Sequence, residues 1–91
     1  MMRYPILIEE GFDDTAFGVI VPDFPGCFSG GDSLNEALEA VSEAAAIWID
    51  VALSAGKPVP PPSPVETVRR LPDYQGWTVA VIDIGTALST A

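Results

Sequence analysis

The sequence predicts an α+β domain in the order βββαβ: a three-stranded antiparallel meander, one long helix, and a final strand that pairs with the first. Three observations carry this reading. Three β-rich runs separated by turn chemistry fill the first 31 residues, a capping sequence then opens a helical pattern of about twenty residues, and the most β-rich run of all lies near the end. At 91 residues the chain has room for one core and one domain, expected over residues 3–84.

The first strand is Tyr4 to Glu9 (YPILIE), aliphatic and β-branched, and Glu10-Gly11-Phe12-Asp13-Asp14 is the polar, glycine-containing break of a hairpin. Thr15 to Val21 (TAFGVIV) is the second strand. It ends at Pro22, which has no N–H to continue a ladder. Pro22-Asp23-Phe24-Pro25-Gly26 is a turn, with two prolines fixing φ and a glycine free to take positive φ. Cys27, Phe28 and Ser29 follow as a short third strand running into Gly30-Gly31.

Ser33-Leu34-Asn35-Glu36 matches a capping box, in which hydroxyl and carboxylate satisfy backbone N–H groups that a helix start leaves unpaired. The helix should stop at Gly56, with Pro58 beyond. At 100° per residue, Leu34, Leu38, Val41, Ala45, Trp48 and Ala52 form one line, with Ala37, Ala44 and Val51 beside it. Glu36, Glu39, Glu43 and Asp50 fall opposite. Ala40, Ile47 and Ile49 widen the apolar arc to about 200°, more than the ~100° that one packing surface uses. The surplus predicts a homodimer or higher homo-oligomer, joined through Ile47 and Val51 or through main-chain pairing at the edge of the meander.

Lys57 to Pro64 (KPVPPPSP) holds five prolines, so it runs as polyproline II, either a stiff connector or, as the sharper alternative, a PxxP ligand for an SH3-like groove. Pro64 to Leu71 then suits a short helix ended by Pro72. Trp77 to Ile84 (WTVAVIDI) is near-continuously apolar, which predicts burial on both faces and a parallel pairing with the first strand, reached through the helical crossover. Gly85 to Ala91 has little to bury and is expected to fray. There is no internal repeat.

Thirteen acids against four bases give a net charge of −9, which repels phosphate backbones and anionic membranes and attracts a basic partner. Nucleic-acid binding by this chain alone is therefore disfavoured. With no histidine, a Ser-His-Asp or Cys-His site and a His-ligated metal are excluded from within the chain. A single cysteine forms no internal disulfide framework and suits a reducing compartment. No run approaches the ~18 apolar residues of a membrane span, and the start lacks the apolar core of a signal peptide, so the chain reads as soluble and cytoplasmic.

Paired carboxylates are the chemistry that this composition leaves open. Two-metal nucleases cluster acids on a mixed sheet, but a magnesium site needs them to converge. Asp13 and Asp14 are separated from Asp23 by seven strand residues, about 23 Å at ~3.3 Å each. Glu9 and Asp83, near the ends of neighbouring strands, are the one pair placed to share a site. No cofactor or metal is expected, and Glu9, Glu10, Asp13, Asp14 and Asp23 read as partner-recognition or solubility charges. Cys27 has no histidine to activate it and reads as packing. The glycines of Gly26-Cys27-Phe28-Ser29-Gly30-Gly31 lack the Lys-Ser/Thr of a phosphate loop. Trp48 and Trp77, on the apolar helix stripe and at the head of the last strand, read as core filling rather than ligand stacking.

Taken in order, Tyr4-Pro5, Pro22-Asp23-Phe24-Pro25-Gly26-Cys27, Gly31-Asp32-Ser33-Leu34-Asn35-Glu36-Ala37 and Gly56-Lys57-Pro58-Val59-Pro60 resemble the HicB antitoxin family over about residues 3–84. The specific part is PDFPGC followed by GDSLNEA at this spacing. The resemblance implies a partial RNase H-like fold without the nuclease carboxylates. It also implies a function: neutralising a HicA-type toxin, a small basic ribonuclease, by covering its RNA surface and catalytic histidine. Many relatives continue into a ribbon-helix-helix or helix-turn-helix segment. This sequence stops at Ala91 with no such DNA-binding domain within it, as a domain-only form or a fragment would, so DNA binding is not carried over from the resemblance. Two other readings stay open, an oligomeric interaction module without a toxin and a degenerate metal-dependent nuclease.

Overall fold

The computed structural model of the chain describes residues 2–10 and 16–84. Four strands, β1 (Met2–Glu10), β2 (Phe17–Ile20), β3 (Phe28–Gly31) and β4 (Thr78–Ile84), form one sheet in the order β3-β2-β1-β4, every neighbouring pair antiparallel. The long helix α1 (Leu34–Ser54) covers one face, and a short helix α2 (Val65–Arg69) packs near β4. The expected meander, helix and β1–β4 pairing are all present. The expected fraying tail after Ile84 and the first hairpin turn fall outside the described residues.

The direction of β4 differs from expectation. It runs antiparallel to β1, with Met2 opposite Ile84 and Ile8 opposite Thr78. The cause is the connector. Pro60 and Ser63 are held near the start of β1, by Tyr4 and Asp23, whereas Gly76 and Trp77 share a cleft with Glu9 and Glu10 at its other end. Residues 64–77 therefore carry the chain the length of the sheet before β4 begins, so the helical crossover does not set the direction of the strand. Within that stretch Pro72–Tyr74 forms a single 3-10 turn.

Burial on both faces belongs to β1, not β4. Tyr4, Ile6 and Ile8 face α1 in the main core, while Pro5 and Leu7, pointing the other way, are equally buried. Leu7 and Val68 of α2 lie outside that core cluster, and Tyr74 lines a cavity with Ile20 and Phe28, which share Leu7's face by register. The second crossing thus roofs the face that α1 leaves open. Strand β4 is an edge strand in which only Ile84 is fully buried. Its apolar run reflects one face against the core, through Ala80, Ile82 and Ile84, and a second that is partly open.

Helix α1 begins as predicted, with Ser33 Oγ accepting from the Glu36 N–H at 3.1 Å, though the Glu36 carboxylate reaches back to the Asp32 N–H instead of that of Ser33. Its end is a Schellman motif: the Gly56 N–H donates to the Leu53 carbonyl and the Lys57 N–H to that of Ala52. The buried line is Ala37, Val41, Ala45, Ile49 and Ala52, rotated from the predicted one, so Leu34 is exposed and Ile49 is buried. Alanines let the helix lie close to the sheet, and that closeness rather than side-chain bulk chooses the inner face. Gly31 shows how close: a Cβ there would sit 2.7 Å from the Ala37 nitrogen.

Candidate protein-binding surface

The turn between β2 and β3 is anchored by three backbone hydrogen bonds. The Phe24 N–H donates to the Val21 carbonyl, the Cys27 N–H to that of Phe24 and the Val21 N–H to that of Cys27, with Gly26 at φ 82° as its turn position predicts. These bonds drive Phe24 into the core, where its ring stacks on Trp48 at 4.4 Å and 5° and meets Tyr4 at 4.6 Å. Trp48 Nε1 donates to the Pro25 carbonyl at 3.1 Å, so the indole closes the loop onto α1. The Tyr4 hydroxyl donates to the Pro60 carbonyl at 2.6 Å, and Asp23 accepts from both the amide and the hydroxyl of Ser63. The most specific motif of the sequence is thus a structural hub that ties three elements and the proline connector together. Burial, with Asp23 nearby, pushes the Tyr4 phenol above its ordinary range. Burial likewise pushes the Cys27 thiol up, which keeps it protonated and inert and agrees with its packing role.

Beside this hub lies an exposed apolar groove, lined by Cys27 and Phe28 at the start of β3 and by Ala44, Ile47, Trp48 and Val51 along α1. Phe28 is 68% exposed, Ile47 64% and Val51 61%, and all three residues border this one depression. Glu43 and Asp50, both exposed, lie on the same helix, and α1 carries no basic residue. The surplus apolar arc expected of the helix is therefore real at Ile47 and Val51. Phe28 was not singled out from the sequence. The signal was there, since strand alternation sends Phe28 outward once Cys27 points in.

The acids predicted to meet a partner divide. Glu9 and Glu10 are exposed at the end of β1, and Glu10 lies in one cross-strand row with Phe17 and Gly31, so Asp32 and Glu36 occupy the same end of the molecule. Asp23 is half-buried at the opposite end of β2 and already occupied by Ser63. Asp13 and Asp14 lie outside the described residues. Glu9 and Asp83 do not converge: the antiparallel pairing sets Asp83 opposite Arg3, at the far end of β1, where its carboxylate accepts from Arg3 Nε at 3.2 Å. Among the described residues no three acids, cysteines or histidines group around a point that would hold a metal ion. Trp77, half-buried, meets Tyr74 edge-on at 5.2 Å instead of filling the main core. No helix among the described residues is long and apolar enough to cross a membrane.

Comparison with known proteins agrees with this architecture. A family model for the HicB-like antitoxin of bacterial toxin–antitoxin systems matches residues 4–90. An uncharacterised 14.9 kDa protein from the rep–hol intergenic region of Haemophilus phage HP1 is 40% identical over 83 residues, covering 91% of this chain and 61% of that protein. The chain thus spans about three fifths of that relative. The crystal structure of the N-terminal domain of the Burkholderia pseudomallei antitoxin HicB superposes with a TM-score of 0.79 at 30% identity, covering 91% of this chain and 98% of that one. A chain from a HicA3–HicB3 toxin–antitoxin complex superposes with a TM-score of 0.74 at 28% identity, covering 91% and 98%. With the family model spanning nearly the whole sequence and the sheet order, helix and capping in place, the chain belongs to the HicB-like antitoxin family of bacterial toxin–antitoxin systems.

Proposed function

We propose that this chain is an antitoxin that binds a small basic ribonuclease toxin of the HicA type and keeps it inactive by covering the toxin's RNA-binding and catalytic surface. The observation that carries the reading is the pairing of exposed apolar anchors with one-signed charge: Phe28, Ile47 and Val51 surround a groove on a helix with four acids and no base. A basic protein meets both requirements, since long-range attraction steers its approach and a buried apolar contact holds it. Glu9 and Glu10, with Asp32 and Glu36 at the same end, extend the negative surface. The family membership and the fold shared with a chain from a HicA3–HicB3 complex support the same partner class. In this reading the chain acts by binding and not by catalysis, and it meets its toxin in the cytoplasm, where the RNA is.

The test is co-expression with a HicA-type toxin, sought first in any small open reading frame adjacent to this one, followed by co-purification and an RNA-cleavage assay of that toxin with and without this chain. The expected result is a complex in which cleavage stops, with an association rate that falls as salt rises. Cleavage that continues in the presence of excess chain refutes the reading. RNA cleavage by this chain alone with Mg²⁺ or Mn²⁺, lost in Glu9→Gln or Asp83→Asn, replaces it with a nuclease.

A further inference from the structure

We propose that the proline connector between α1 and α2 is a docking ligand for a protein module of the SH3 kind, one whose groove is lined by aromatic rings and flanked by acids. Residues 57–64 (KPVPPPSP) lie in neither helix nor strand. Prolines at 58, 60, 61, 62 and 64 hold φ at about −65°. Lys57, Val59, Pro60, Pro61 and Ser63 each precede a proline and are kept out of the helical region. Pro64 itself sits at φ −62° and ψ 144°. The segment is therefore polyproline II, the conformation that such modules select from their ligands.

Polyproline II turns once in three residues, so residues three apart share an edge. Pro60 and Ser63 are half-buried and tied down, the Pro60 carbonyl accepting from the Tyr4 hydroxyl and Ser63 donating to Asp23 from both its amide and its hydroxyl. Val59 packs against the core. Pro58, Pro61 and Pro64, also three apart, are all exposed, and Pro62 is exposed beside them. The outer edge is thus a PxxPxxP row, about 19 Å long at ~3.1 Å per residue. It offers proline rings and carbonyl acceptors and little else, since the Lys57 N–H is spent on Ala52 and the Ser63 N–H on Asp23. Aromatic rings pack on the first, and indole or phenol donors meet the second. A free proline-rich peptide has to be ordered when it binds, whereas here the fold has already fixed the inner edge and leaves the outer one presented.

Charge narrows the class of groove. Lys57 is exposed next to Pro58, it is the one base in residues 6–63, and residues 57–64 hold no acid. A groove with acids at its rim complements that end of the row, and a basic rim repels it. No residue of 57–64 lines the groove at Phe28, Ile47 and Val51, so the proposal does not rest on the antitoxin reading.

The test is a nuclear magnetic resonance titration of the isotope-labelled 91-residue chain with a recombinant SH3 domain whose groove is flanked by acids, taken to about a millimolar. The expected result is saturable shifts centred on the amides of Lys57, Val59 and Ser63, reversed by excess of an oligoproline peptide that fills the same groove. Pro61→Ala should weaken binding about tenfold or more while the resonances away from the connector stay in place, and Lys57→Glu should weaken it by a smaller factor. Ile47→Asp should leave it unchanged. Absence of binding, shifts centred on Phe28, Ile47 and Val51 in place of the connector, binding that the oligoproline peptide does not displace, or binding that survives Pro61→Ala overturns the proposal.

Discussion

The two flanks of the sheet solve the same problem in opposite ways. On the β3 flank a short, glycine-rich edge abuts α1, and the apolar surface left over is side-chain surface, a groove framed by acids. On the β4 flank the edge is long and the exposed feature is backbone, beside a neutral α2. Side-chain grooves discriminate by shape and charge, whereas a free strand edge accepts another strand through main-chain bonds with little regard for sequence. The two flanks therefore expose different recognition chemistries, side chains around an acid-framed groove on one and a strand edge on the other.

The sharpest way to break this comparison is to remove what fixes the β3 flank. Phe24→Ala deletes the ring between Trp48 and Tyr4 and should cost about 3–5 kcal/mol in urea unfolding, with loss of both the groove and the fold around it. Ile47→Asp should leave stability within about 0.5 kcal/mol, because the side chain is already in water, yet weaken binding of a basic partner by about 2 kcal/mol. Titration of the partner by calorimetry separates the two effects.

Ser63→Ala tests how the connector is held and should cost about 1–2 kcal/mol, since it strips one of the two bonds on a half-buried carboxylate. Tyr4→Phe removes the bond to Pro60 and should cost about 1 kcal/mol at neutral pH. Its pH dependence has a definite sign. The folded phenol titrates above the unfolded one, so the stability tied to Tyr4 is fully present below about pH 10 and is lost as pH rises through the folded pKa. Alkaline denaturation monitored by circular dichroism should therefore be shallower in Tyr4→Phe. The smallest effect belongs to Arg3→Ala: the Arg3–Asp83 pair is well exposed, and its loss should change monomer stability by no more than about 0.5 kcal/mol.

The sequence was most readable where one local rule had no competitor. The capping box at Ser33, the stop at Gly56 and the turn at Pro22–Gly26 each rest on bonds within a few residues, and all three are found. The apolarity of YPILI and TVAVI was ambiguous because burial depends on position in the sheet, and that position is set by a connector whose path no local pattern encodes. For the same reason the reading exchanged a central strand for an edge strand and placed Glu9 and Asp83 together. The groove was half legible. Periodicity exposed Ile47 and Val51 on the helix, but Phe28 joins them only through the fold of a neighbouring strand.

The pairing of β1 with β4 has a consequence for the time course of synthesis. The meander and α1 are built from near neighbours in sequence, whereas the Arg3–Asp83 contact joins residues 80 positions apart. Contacts that distant form last, because the chain entropy of closing so large a loop must be spent before they return anything. A chain emerging N-terminus first can complete residues 2–56, with the acidic groove and its aromatic hub, while β4 is still being made. During that interval β1 offers an unpaired edge in the centre of the sheet, and the arrival of residues 78–84 both seals it and creates the new outer edge. The groove framed by acids is therefore complete before the outer edge of β4 exists.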